Sequence, residues 1–237
     1  KILRRHSAGY SLGKNEAKLN HLLMELGIDK CATISIKQGK VHHHEGIRLP
    51  DGRTIQSMEE GQHYKYLGVL EADDIKHSDM KEIIRKEYFR RVKKVLKSKL
   101  NGGNTIKAIN TWAVSLVRYA AGIVNWTKAE LDEVDRKIRK IMTIYRALHP
   151  RADVDRLYLP RSEGGRGMMS IVDCVQAEEI SRNQYIHESE EILLKATVRA
   201  NTLGQWNGKT RLEHKKKMRR ERKAIWMAKP LHGQFPR

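Results

Sequence analysis

Acidic residues are scarce in this 237-residue chain: 28 Asp and Glu face 47 Lys and Arg, a formal net charge of +19. A field of that sign repels further copies of the chain and draws in polyanions, so nucleic acid or an anionic membrane surface is the expected partner. Apolar runs are short. None approaches the roughly 18 residues that a membrane span requires, which removes the anchor from the membrane reading. Cysteine is rarer still: Cys31 and Cys174 lie far apart and provide no disulfide framework, which fits a reducing compartment. The opening Lys1-Ile2-Leu3-Arg4-Arg5 runs into Ser7-Ala8-Gly9 without the apolar stretch of a secretory signal. The expected location is therefore intracellular, nuclear or cytoplasmic, and a start at Lys1 suggests a fragment. His-Glu-x-x-His does not occur, so one common hydrolase site is excluded. No internal repeat is visible, and the basic run at 215–223 is the single low-complexity segment.

The patterning divides the chain. Ala17, Leu19, Leu22, Leu23 and Leu26 predict a short amphipathic helix over Lys14–Leu26, closed by Gly27. Alternating, β-branched Cys31–Ile36 reads as a strand. Gly46–Leu49, before the turn Pro50-Asp51-Gly52, and Tyr64–Val69 read as two more, giving a small antiparallel sheet. Helical texture follows. A helix over Ser78–Leu100 has Ile83, Ile84, Phe89, Val92, Val95 and Leu96 on its apolar side and stops at Asn101-Gly102-Gly103-Asn104. Thr105–Val124 is a mostly apolar helix. Thr127 with Glu130 forms a capping box for a helix to about Leu148. After an irregular stretch with Gly164-Gly165-Arg166-Gly167, helix is expected over Ser170–Ala200 and again over Gly208–Ala228. The fold class is α+β, mainly α.

The helix over Lys81–Lys99 concentrates cations: Lys81, Arg85, Lys86, Arg90, Arg91, Lys93, Lys94, Lys97 and Lys99 against Glu82 and Glu87 alone. Residues three and four apart share a helix face, so Lys86, Arg90, Lys93, Lys94 and Lys97 form one stripe opposite the apolar side. A solvated face usually mixes signs; this one carries no acid after Glu87, which favours phosphate contact. A second basic tract, Lys209–Lys223, fits a nuclear-import signal, a phosphate-binding helix or a solubilising tail. Trp206 and Trp226 flank it, with core anchoring the favoured use of each.

Other features suggest chemistry only superficially. His42-His43-His44 resembles a metal tract, but strand neighbours face opposite ways, and a surface loop is the expected setting. Gly164-Gly165-Arg166-Gly167 lacks the preceding strand and the Lys-Ser/Thr of a phosphate loop. Asp73-Asp74 pairs two carboxylates and reads as a loop or helix start.

Gly27-Ile28-Asp29-Lys30-Cys31, Tyr64-Lys65-Tyr66-Leu67-Gly68-Val69 and Leu157-Tyr158-Leu159-Pro160-Arg161 with Gly164-Gly165-Arg166-Gly167, taken in order, resemble reverse transcriptases of non-LTR (LINE-like, R2-like) retrotransposons. The resemblance runs from about residue 20 to 200. It implies a partial palm over 1–72, a thumb-like helical bundle over 73–150, and a helical extension with a basic tail over 151–237. Lys30 would match the palm lysine that helps protonate the leaving pyrophosphate. Tyr66, Leu67 and Gly68 would match the primer grip. Arg85, Lys86, Arg90, Arg91, Lys93, Lys94 and Lys97 would lie on the template–primer backbone, an RNA–DNA or RNA duplex. The family's aromatic-x-Asp-Asp turn, which binds Mg2+, precedes the Lys-Cys strand; before Gly27 this sequence has no Asp. Asp73-Asp74 falls after the grip and follows Glu71-Ala72 rather than an aromatic residue. The expectation is therefore a truncated RNA-directed DNA polymerase homologue that binds nucleic acid, lacks a catalytic residue set and holds no cofactor in this chain. A helical protein-interaction module from a degenerate retroelement is the alternative.

Overall fold

The structure is a computed structural model that describes residues 2–3, 27–28, 31–37, 40–42, 44–49, 52–58, 62–71, 75–199, 208 and 210–229. The chain forms two compact units, Lys1–Met80 and Lys81–Arg237, and its class is α+β, mainly α. The helix expected over Lys14–Leu26 lies outside the described residues.

The first unit is built from short strand pairs rather than the single antiparallel sheet that the sequence suggests. β1 (Ile2–Leu3) runs parallel to β2 (Ala32–Thr33). β3 (Ser35–Lys37) pairs antiparallel with β4 (Lys40–His42), β5 (Ile47–Arg48) with β6 (Thr54–Ile55), and β7 (Tyr64–Tyr66) with β8 (Val69–Glu71). The strand predicted over Cys31–Ile36 is interrupted at Ile34, which is buried. Leu49 and Ile55 pack together at a small core with Ile28, Cys31 and Ile47. Gly46 lies against the Ile55 backbone, where a Cβ would sit 2.2 Å from the carbonyl oxygen. His44 is buried, contrary to the surface-loop expectation, and its Nδ1 accepts from the Gly46 amide at 3.0 Å.

The second unit is helical. Its first helix, α1 (His77–Lys97), begins just before the division between the units. α2 (Gly102–Ala108) continues through a π-helical turn, Ile109–Ala113, into α3 (Val114–Ala120). Asn101 starts it by accepting from the Asn104 amide, so the segment that ends one helix opens the next. α4 (Lys128–Ile144) carries the expected capping box of Thr127 and Glu130. α5 (Val154–Tyr158) and a 3-10 turn (Arg161–Glu163) occupy part of the stretch expected to be irregular. The long helix predicted to Ala200 divides at Ser189 into α6 (Ile171–Glu188) and α7 (Ile192–Arg199). Finally α8 (Arg211–Ala228) opens on a second capping box, Thr210 with Glu213, which the sequence reading overlooks.

α6 is central: α3, α4, α7 and α8 all pack against it, and α5 packs on α8. The expected division at residue 150 is therefore not a division in space, because segments on either side share one core. On α1 the side chains turned inward are Ile84, Tyr88, Val92 and Val95. Ile83, expected among them, is half exposed, while Tyr88 is fully buried. Spacings of four and three residues from Ile84 through Val95 hold one stripe, and Tyr88, not Ile83, falls on it. Asp135 on α4 is buried too. Its carboxylate accepts the Ser170 hydroxyl at 2.7 Å and the Ile171 amide at 3.0 Å, tying α4 to the start of α6.

Candidate nucleic-acid interface

Directly opposite the buried stripe of α1, the spacing 86, 90, 93, 97 places Lys86, Arg90, Lys93 and Lys97 along one outer line, with Lys94 beside it. At 1.5 Å per residue that line runs for roughly 16 Å. The cations along it are not equivalent. Lys93, Lys94, Lys97 and the following Lys99 are exposed and form no hydrogen bond or ion pair with the described residues. Lys86 pairs with Glu82 at 2.6 Å, but both groups are well exposed, and such pairs contribute only about 0–1 kcal/mol. A phosphate can compete for that lysine.

Arg90 and Arg91 converge on one carboxylate. Glu87 accepts from Arg90 Nε at 2.6 Å and from Arg91 Nε at 2.8 Å, and Arg90, then Arg91, hold its pKa down to about 2. Two guanidiniums share one carboxylate, so the trio retains a positive charge. Arg91 also donates to the Trp112 carbonyl at 2.9 Å and lies over the Trp112 ring, which directs it inward.

Arg85 does not belong to the outer face. Its guanidinium stacks 5.3 Å from the Trp126 ring centroid and approaches Glu130 at 3.8 Å, beside Lys81, which binds the same carboxylate at 2.9 Å. Arg85 and Lys81 join α1 to the start of α4. The sequence stripe thus resolves into an unpaired outer group (Lys93, Lys94, Lys97, Lys99), a loosely paired one (Lys86, Arg90) and an inward one (Lys81, Arg85, Arg91).

Of the grip-like residues, Tyr66 ends β7, and Leu67-Gly68 is the two-residue turn into β8. Both turn residues have positive φ, +48° at Leu67 and +88° at Gly68, as a tight hairpin of this hand requires. Leu67 is 69% exposed at its tip. Lys30 and Asp73-Asp74 lie outside the described residues.

Leu157-Tyr158-Leu159-Pro160-Arg161 and Gly164-Gly165-Arg166-Gly167 prove to be one closed loop. The Gly165 amide donates to the Pro160 carbonyl, Gly167 to Leu159, and Met168 to Leu157. Gly165 presses so closely on Leu159 that a Cβ would lie 2.0 Å from its carbonyl oxygen. Leu157 and Leu159 are buried, and Trp226 of α8 packs over Gly164. These glycines serve chain closure.

The basic tract of α8 is largely engaged on its inner side. Arg222 grips Asp173 at 2.9 and 3.1 Å and stacks on Tyr158, Arg211 meets Glu178 at 2.9 Å, and Arg219 meets Glu163 at 3.3 Å. Trp226 anchors this helix, as expected; Trp206 lies outside the described residues.

Among the described residues no group of three or more His, Cys, Asp or Glu could hold a metal ion, and no helix is long and apolar enough to cross a membrane. Cys31 and Cys174 are both free thiols. No family model matches the chain, and comparison with curated proteins and with solved structures gave no match. Fold and surface together define an α+β, mainly α chain that displays an unpaired cationic helix face.

Proposed function

We propose that this chain is the palm-and-thumb part of a non-LTR reverse transcriptase homologue, and that it binds nucleic acid along the outer face of α1. The carrying observation is the run Lys93, Lys94 and Lys97, exposed, without ion-pair partners among the described residues, and turned away from the buried stripe of the same helix. A helix fixed by Tyr88 and Val92 in the core cannot rotate those ammonium groups away. Unpaired lysines in a row attract a phosphate backbone irrespective of base sequence and release counterions on contact. In this reading the Leu67-Gly68 hairpin corresponds to the primer grip, and the bound form is an RNA–DNA or RNA duplex. In the resembled family the Mg2+ chemistry belongs to the aromatic-x-Asp-Asp turn, and this reading assigns α1 to backbone contact alone.

Gel-shift titration of a mixed-sequence RNA–DNA duplex across a salt series tests this proposal. Affinity should fall linearly on a log–log plot against salt, with little change between duplex sequences. A flat salt response, or capture that survives high salt, would instead favour the protein-interaction alternative.

A further inference from the structure

The second unit contains a cleft of about 840 Å³, bounded by α2 and its π turn, the 159–169 loop, α6 and α8. That volume is in the range of sites that enclose a small organic ligand and exceeds what a bare inorganic anion fills. Its walls are of two kinds. Met169 and Met218 supply an apolar surface, backed by the buried Met168 and Ile106, and methionine thioethers adapt well to flat rings. The remainder is strongly cationic, with eight Lys and Arg side chains against the carboxylates of Asp173 and Glu178.

Those two carboxylates are already committed. Asp173 is bound by Arg222, and Glu178 is shared between Arg118 at 3.1 Å and Arg211 at 2.9 Å. Lys107, Arg161 and Lys215 remain, with no ion pair or hydrogen bond from their side chains to the described residues. The Arg161 guanidinium lies against Gly103, where a Cβ would come within 2.7 Å of two of its nitrogens. Nε of Arg211 and Nε2 of His214 are buried on the same wall without a hydrogen bond among the described residues. Burial, followed by the nearby charges of Arg211 and Arg118, lowers the pKa of Lys215, the behaviour of a cation held in a positive field. Like charges collected in a partly enclosed space, with their acids already used, are stabilised by an anion.

We infer that the cleft binds a nucleotide unit, with Lys107, Arg161 and Lys215 on its phosphate and the methionine surface against its base. This site is separate from the outer face of α1 and does not depend on it. The unit can come from two sources, a free nucleotide or the phosphorylated end of a strand.

Calorimetric titration of the full chain with adenosine monophosphate, adenosine, inorganic phosphate and a 5′-phosphorylated tetranucleotide tests the proposal. Adenosine monophosphate is expected to bind at least tenfold more tightly than adenosine or phosphate. Lys107→Glu, Lys215→Glu and Arg161→Ala should each weaken it at least tenfold, while Lys128→Glu, a charge-matched change outside the cleft, leaves it unchanged. Circular dichroism confirms folding, and Lys215→Gln repeats the test with the gentlest change. A tetranucleotide that binds more tightly than the mononucleotide identifies a strand end, and equal affinities identify a free nucleotide. Affinity for the nucleotide no greater than for adenosine, or unaltered by the Lys107 and Lys215 substitutions, would overturn the site.

Discussion

Asn110, on the π-helical turn, holds Gly167 from across the second unit: its Nδ2 donates to the Gly167 carbonyl at 2.8 Å, and its Oδ1 accepts from the Met169 amide at 2.9 Å. The wider π turn gives this one side chain both contacts, so the loop carrying the glycine motif is tied to the middle of the α2–α3 segment. Asn110→Ala strips partners from two backbone groups in a partly buried position. Stability should fall by about 2 kcal/mol, seen as a lower urea midpoint with unchanged slope.

Gly165→Ala tests the loop closure. A methyl 2.0 Å from the Leu159 carbonyl oxygen must push apart the segments that the Gly165–Pro160 and Gly167–Leu159 hydrogen bonds join. A loss of more than about 2 kcal/mol is expected in urea unfolding.

Leu67 occupies left-handed backbone at an exposed hairpin tip. A branched-chain residue there costs roughly 1–2 kcal/mol against glycine or asparagine. Leu67→Asn should therefore raise the thermal midpoint. If the same change weakens duplex binding, Leu67 is retained at that cost for contact with the nucleic acid.

Acid should destabilise the chain in a defined window. Glu87, held by Arg90 and Arg91, and Glu130, held first by the Thr127 amide, both have folded pKa values of about 2 against 4.5 when free. Depressed carboxylates stabilise above their free value, and that contribution disappears as pH falls from 4.5 towards 2. Asp135 acts in the opposite direction. Burial raises its pKa above 3.8 despite the Ile171 and Ser170 hydrogen bonds, so its contribution declines as pH rises through the folded value. Asp135→Asn removes the opposing contribution, and its acid limb should be steeper than that of the parent chain in unfolding measured from pH 6 to 2.

Local signals in the sequence located the helices well. The Thr127–Glu130 capping box, the Asn101 boundary and the cationic face of α1 are all properties of neighbours three or four residues apart. Three things depended on contacts that sequence spacing does not encode. Arg91 turns to Glu87 and the Trp112 carbonyl and Arg85 turns to Trp126, so two cations expected on the outer face are drawn away from it. In the first unit Ile34 breaks the run that alternation joined, so Ala32–Thr33 and Ser35–Lys37 fall in different strand pairs. The cleft brings together Lys107, Arg161 and Lys215, which are distant along the chain, and no motif connects them. Leu157–Arg161 and Gly164–Gly167 were both visible as motifs, but their mutual closure required the backbone.

The central claim is that Lys93, Lys94 and Lys97 of α1 carry phosphate contacts. Its most direct measurement compares the salt dependence of duplex binding for the parent chain and for Lys93→Glu/Lys94→Glu/Lys97→Glu. Each lost contact removes about 0.9 from the log–log slope, so the triple variant should bind more weakly on every duplex sequence and show a slope lower by roughly 3. An unchanged slope and affinity in a folded variant would contradict the account.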